Sequence, residues 1–161
     1  IGASNIIVID LFDSRLDKAI EVGATHVLNA KNGNPVEAIR KLFPNGADVT
    51  IEAAGVESTF HQAIQSTKVR GTMMVISFHT QNIQFNAPAS LLFSGVEIMG
   101  SVGYSNETYN EVIKLLAKGK LPALSIITSK IDIDHIVEQG FEALINDKSQ
   151  AKILVKLSGA H

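Results

Sequence analysis

Asp10 closes the apolar run Ile6–Ile9 and stands just ahead of a segment of helical character. A carboxylate in that place can accept hydrogen bonds from vicinal ribose hydroxyls, and its charge repels a 2′-phosphate. It can equally serve as a turn or capping residue. Arg15, five residues on, carries a planar guanidinium able to stack on an adenine face, or simply a solvated surface charge. A second group is Glu52-Ala53-Ala54-Gly55-Val56. Small residues after a strand let a flat ring or a phosphate approach the backbone. Gly55 also fits a tight turn. In the third group, Ser77-Phe78-His79, the backbone and Phe78 can line a pocket for a second ring, and His79 can donate to a ribose or phosphate. The fourth is Gly100-Ser101-Val102-Gly103. Its backbone groups can hold a carboxamide, or form a plain turn.

Other chemistries find little support. The chain has no Cys, which excludes a thiol nucleophile, a disulfide scaffold and Cys-ligated zinc within these residues. The histidines stand at 26, 61, 79, 135 and 161, and no two have the i, i+4 spacing of a helical zinc site. There is no G-x-S-x-G elbow and no G-x-x-x-x-G-K-[ST] loop. Lys+Arg is 14 against Asp+Glu 16, so no basic excess points to nucleic acid or a membrane surface. No apolar run reaches the ~18 residues of a membrane span, and the start IGASNIIVID has no basic leader region. A soluble, cytoplasmic domain is expected.

The elements that must position these groups alternate. Ile6–Ile9, THVLNA (25–30), Asp48–Ala53, Thr72–Ser77, Val96–Ser101 and Lys152–Leu157 read as strands, Ile6–Ile9 and Thr72–Ser77 as buried ones. Ile83 and Phe85 alternate with polar neighbours, as in an edge strand. Between the strands lie helices. One is capped by Asp13 or Ser14 and ends at Gly23, with Leu16, Ala19 and Ile20 inward. One starts at Asn34-Pro35 and stops at Pro44-Asn45-Gly46. One is capped by Ser58, and a short one covers Ala89–Phe93. The helix opened by Asn106 turns Val112, Ile113, Leu115 and Leu116 inward. The last, capped by Asp132 or Asp134, turns in Ile136, Val137, Phe141 and Leu144. Strand–helix alternation with apolar strands predicts an α/β fold with a doubly wound parallel sheet. Ligands then sit beyond the carboxyl ends of the strands, where the four groups stand.

A dinucleotide fold also needs a glycine-rich turn about 20 residues ahead of its acidic strand end. No G-x-G-x-x-G occurs, and only nine residues precede Asp10.

The stretches GASNIIVIDLFDSRLDKAIEVGATHVLNA, ADVTIEAAGVESTFHQAIQSTKVRGTMMVIS and LLFSGVEIMGSVGYSNETYNEVIKLLAKGKL resemble the cofactor domain of zinc-type medium-chain alcohol dehydrogenases. Within that family the likeness is strongest to the polyol branch of butanediol and sorbitol dehydrogenases. The resemblance implies hydride transfer between NAD and a secondary alcohol or ketone, with zinc in the parent enzyme and no zinc ligand in these residues. It implies that Asp10 holds the adenosine ribose and that Arg15 lies near the adenine. Ala54, Gly55 and Val56 match the strand end beside the adenosine half. Ile76, Ser77 and Phe78 match the strand end at the nicotinamide, and Ser101, Val102 and Gly103 the segment holding the carboxamide. Ile83–Phe85 matches an edge strand through which the family forms homo-oligomers.

On this reading the fold is a Rossmann-like sheet lacking its first strand, glycine-rich loop and first helix. Residues 1–150 are a partial NAD-binding domain, and 151–161 a final strand returning toward an absent catalytic domain. The chain is expected to be an inactive piece of a longer enzyme. The missing strand belongs between Ile6–Ile9 and Asp48–Ala53. Its place is expected to be filled by a second chain, a swapped strand such as Lys152–Leu157, or a retained fragment of the parent. Two other functions remain open: a zinc-independent quinone-reductase-like oxidoreductase using NADPH, which Asp10 disfavours, and a non-catalytic nucleotide-binding or interaction module.

Overall fold

The computed structural model describes residues 2–85 and 88–157, with 88–90 described by backbone alone. His161 lies outside the described residues. In chain order the elements are β1 (Ile7–Asp10), α1 (Asp13–Glu21), β2 (His26–Asn29), α2 (Pro35–Leu42), β3 (Ala47–Glu52), α3 (Glu57–Ser66) and β4 (Thr67–Val75). They continue with α4 (Pro88–Ser94), β5 (Glu97–Gly100), α5 (Asn106–Ala117), β6 (Ile127–Asp132), α6 (Ala143–Asn146) and β7 (Lys152–Lys156). A π-helical segment, Ile136–Glu142, leads into α6. Every strand pair is parallel, as apolar strands separated by helices require. The fold is α/β, of the Rossmann-like type. Its ladders form three sheets, β1-β2, β3-β4-β5 and β6-β7. Among the described residues β1 therefore has one strand neighbour, β2, and β3 has one, β4.

The chain divides into two compact units. One comprises 1–32 with Ser105–His161, the other Gly33–Tyr104. The second unit has the clearer core. Ile64 of α3, Met73 of β4 and Val96 are buried together, with Phe60, Ala63, Val75, Phe85 and Leu91 packed around them. Its first helix starts as the Asn34-Pro35 pair predicts: the Asn34 side chain accepts from the Val36 N–H at 3.0 Å, and proline occupies a position that needs no N–H. In the first unit Leu16 of α1 and Ile131 of β6 are buried, and Gly23 ends α1 with φ +112°.

Several expectations are corrected. Asp13, Ser14 and Ser58 do not cap: α1 and α3 begin after Phe12 and Val56 without a side-chain cap, and Ser58 lies inside α3. Ser105 caps α5, accepting from the Thr108 N–H at 3.2 Å. Neither Asp132 nor Asp134 caps the final helical segment, and β6 ahead of it is not among the strands the sequence pattern marks. The apolar sides of α5 and of the Ile136–Asn146 segment are not buried: Val112, Ile113, Leu115, Leu116, Val137, Phe141 and Leu144 are all exposed, as is Ile20. Periodicity marks which side is apolar, not whether anything covers it. β4 starts five residues earlier than its apolar run, at Thr67, and passes through Arg70 at φ +59°. Ile83–Phe85 is not a strand. Phe85 turns onto the core and stacks with His61 at 6.5 Å, so a loop rather than a ladder satisfies the alternation. Finally, Lys152–Leu157 is not swapped into the place of a missing strand. β7 pairs with β6 in the same chain, with Ile131 opposite Val155.

Candidate functional site

Parallel strands end together, so β3, β4 and β5 bring three of the four predicted groups to one side of the second unit. Ladder bonds extend past the strands: the Ile76 N–H donates to the Glu52 carbonyl and the Ser101 N–H to the Val75 carbonyl, both at 3.0 Å. Beyond these bonds the apolar side chains turn out to solvent. Val56, Ile76, Phe78 and Val102 are all at least half exposed, and Val102 fully. An apolar rim on an otherwise polar strand end is suited to covering flat rings. Gly55 lets the backbone close up here. At φ +76°, a Cβ on it would stand 2.8 Å from the Phe78 carbonyl oxygen. Gly103 also has a positive φ, +65°, with open space around it.

The centre of this strand end is a residue whose role the sequence pattern does not reveal. Glu52, only 2% exposed, closes β3. Its Oε1 accepts from the Ala54 N–H at 2.9 Å, the Gly55 N–H at 3.0 Å and the Thr59 hydroxyl at 2.7 Å. Its Oε2 accepts from the Ser77 hydroxyl and lies 2.9 Å from His79 Nε2. Burial pushes the Glu52 carboxyl up, but the donors from Ser77, Thr59, Gly55 and Ala54 outweigh it and hold the group at about 2. Glu52 is thus an internal anion that ties the ends of β3 and β4 to the first turn of α3. An acid at the last, inward-facing position of a strand, followed by Gly three and Thr seven residues later, is the signal that marks it. The Ser77 hydroxyl donates into this network.

In the first unit Asp10 ends β1 and is arranged differently. Its Oδ1 accepts from the Leu11 and Phe12 N–H groups at 2.7 and 3.0 Å, so the turn reading is correct for that oxygen. Its Oδ2 lies 3.6 Å from Arg15 Nη1 and makes no other polar contact among the described residues. The Arg15 guanidinium lies over the Phe12 ring at 5.3 Å, and its Nε donates to the Lys148 carbonyl at 3.3 Å. Arg15, Lys18, Gln150 and Ala151 line an open cleft of about 390 Å³. Asp10 and Arg15 are therefore brought together, and separately so are Ala54–Val56, Ile76–Phe78 and Ser101–Gly103.

Comparison with known proteins places this geometry in a family. The model of the zinc-binding dehydrogenase family matches residues 1–118, and the chain belongs to that family. It is 34% identical to the (R,R)-butanediol dehydrogenase of Bacillus subtilis over 155 residues, covering 96% of this chain and 44% of that protein. It is 30% identical to the sorbitol dehydrogenase of the same organism, again covering 96% and 44%. The crystal structure of the B. subtilis 2R,3R-butanediol dehydrogenase superposes with a TM-score of 0.87 over 96% of this chain and 44% of that one. A zinc-binding dehydrogenase from Sinorhizobium meliloti, bound to NADP, is 27% identical with a TM-score of 0.86, covering 96% and 45%. The chain thus spans less than half the length of the relatives it matches. These relatives are alcohol and polyol dehydrogenases, and the oxidoreductase family is established. Among the described residues no group of three His, Cys, Asp or Glu side chains could hold a metal ion, so the residues present do not fit the zinc that the family name implies. No described helix is long and apolar enough to cross a membrane.

Proposed function

We propose that this chain is the cofactor-binding portion of an alcohol or polyol dehydrogenase that moves hydride between a secondary alcohol, such as 2,3-butanediol, and NAD. Residues 1–150 make up the partial nucleotide domain and 151–161 lead back toward the rest of the enzyme. The observation that carries the reading is the divided Asp10 carboxylate. One oxygen is used by the turn and the other is left for a ligand, at the end of a parallel strand. There it accepts from the adenosine ribose hydroxyls, with Arg15 beside the adenine. In the second unit the exposed rim of Val56, Ile76, Phe78 and Val102 covers flat ring surface and keeps water from it, and the Ser101–Gly103 backbone holds a carboxamide. NAD, when bound, supplies the hydride acceptor. The alcohol's binding groups lie in the portion of the relatives that this chain does not span. The chain alone is expected to bind cofactor without turning over alcohol.

Isothermal titration with NAD and NADP tests this reading. Preference for NAD is the expected result, because the Asp10 charge repels a 2′-phosphate. Binding of neither removes the cofactor role from this chain. One observation favours a second reading, an NADPH-dependent quinone-reductase-like enzyme: the Arg15–Lys18 cleft beside Asp10 offers two cations. A preference for NADP in the same titration would select it.

A further inference from the structure

The second unit contains an imidazole that is held at one nitrogen and free at the other. His79 Nε2 stands 2.9 Å from Glu52 Oε2 and 3.1 Å from Ser77 Oγ. The Ser77 hydroxyl already donates its one hydrogen to Glu52, and an ionised carboxylate can only accept. Both neighbours of Nε2 are therefore acceptors, and the proton of the neutral ring belongs on Nε2. The Phe60 and His79 rings stand perpendicular, with centroids 6.0 Å apart. Nδ1 has no hydrogen-bond partner among the described residues. No buried side-chain nitrogen or oxygen among them lacks a partner, so Nδ1 lies where a ligand or water reaches it. The side chain is 14% exposed and lines a cleft of about 220 Å³ with Gly55, Val56, Glu57 and Thr80–Ile83.

Charge decides what that cleft accepts. The N–H groups that would meet an anion at the end of β3, those of Ala54 and Gly55, are already spent on Glu52. A second carboxylate, Glu57, stands on the cleft wall, engaged by the Gln84 N–H at 3.1 Å and by His61 Nε2 at 3.6 Å. A phosphate would face the Glu57 carboxylate, with Glu52 behind His79, and find no free backbone donor from Ala54 or Gly55. An uncharged hydroxyl needs only an acceptor, which a bare Nδ1 is.

We infer that His79, held by Glu52, is a binding residue of this site, and that its Nδ1 accepts a ribose hydroxyl of the dinucleotide. Glu52 is then a positioning residue acting through His79. The inference rests on the proposed cofactor role and adds to it a residue outside the family resemblance.

Imidazole nitrogen NMR of the ¹⁵N-labelled chain, free and titrated with NAD, tests it. The free chain should show His79 protonated at Nε2 and bare at Nδ1. A proton on Nδ1 instead overturns the inference before any ligand is added. On adding NAD, Nδ1 should shift as a hydrogen-bond acceptor while Nε2 stays unchanged. Shifts at Asp10 and Ser101 with none at His79 overturn this inference and leave the cofactor reading standing. Shifts nowhere overturn both. His79→Phe should weaken NAD roughly 3- to 10-fold, the worth of one neutral hydrogen bond, and His79→Gln, whose amide oxygen can accept, should recover part of it. Unchanged affinity in a folded His79→Phe chain also overturns the inference. If that variant does not fold, the wild-type spectra decide alone.

Discussion

Two carboxylates close two parallel strands of this chain, one in each unit, and they have opposite fates. Glu52 is enclosed: five donors from β3, α3 and the β4 end converge on it, and it is almost without exposure. Asp10 uses one oxygen on two turn N–H groups and leaves the other facing only Arg15. The same chemical group in the same topological place is an enclosed structural anion in one unit and, in the other, a turn residue with one oxygen outside the turn. The difference lies beyond the turn. Each acid accepts two turn N–H groups on one oxygen. Glu52 also receives Thr59, Ser77 and His79 from α3 and the β4 end, whereas the second oxygen of Asp10 meets only Arg15.

The largest test of this contrast is removal of each acid. Glu52→Ala should cost about 3–5 kcal/mol of stability, because it removes the shared acceptor of the Ala54 and Gly55 N–H groups, the Thr59 and Ser77 hydroxyls and His79. Asp10→Ala should cost only about 1 kcal/mol, the worth of an exposed cap. Urea unfolding of the two variants measures both, and equal losses would break the distinction.

Acid tests the enclosed anion next. Glu52 ionises at about 2 in the folded chain, against an ordinary value of 4.5. A depressed folded value means that its stabilisation is complete above 4.5 and is lost as pH falls toward 2. The loss should approach about 3 kcal/mol. Glu52→Gln, which has no proton to gain, should flatten this part of the stability–pH curve. A wild-type curve that is flat below pH 4.5 would contradict the buried-anion account.

The smallest effect sharpens the other side. Asp10→Ala should weaken NAD by about 1–3 kcal/mol through lost charge-assisted bonds. It should also narrow the gap between NAD and NADP, measured by calorimetry. An unchanged NAD/NADP ratio would take Asp10 out of the site.

The legible parts of the molecule were those whose pattern is local. Apolar runs bounded by polar residues marked the strands, and Asn34-Pro35 marked a helix start, because each needs only its neighbours in sequence. Asp10 was legible as a turn residue or a ligand group, and the turn role is the one its Oδ1 performs. Glu52 was not, because its meaning depends on Ser77 and His79, 25 and 27 residues away. Phe85 was misread as part of a strand for the same reason: its partners, Phe60 and His61, come from another element. The exposed apolar sides of α5 and the Ile136–Asn146 segment show the complementary limit. Pattern names an apolar surface, and only tertiary structure says whether it is covered.

The most direct measurement is a crystal structure of the chain with NAD. The account predicts the adenosine ribose hydroxyls within hydrogen-bond distance of Asp10 Oδ2, with Oδ1 still on the Leu11 and Phe12 N–H groups and Glu52 still enclosed by its own donors. Adenosine bound away from Asp10, or a ligand hydrogen-bonded directly to Glu52, would contradict it.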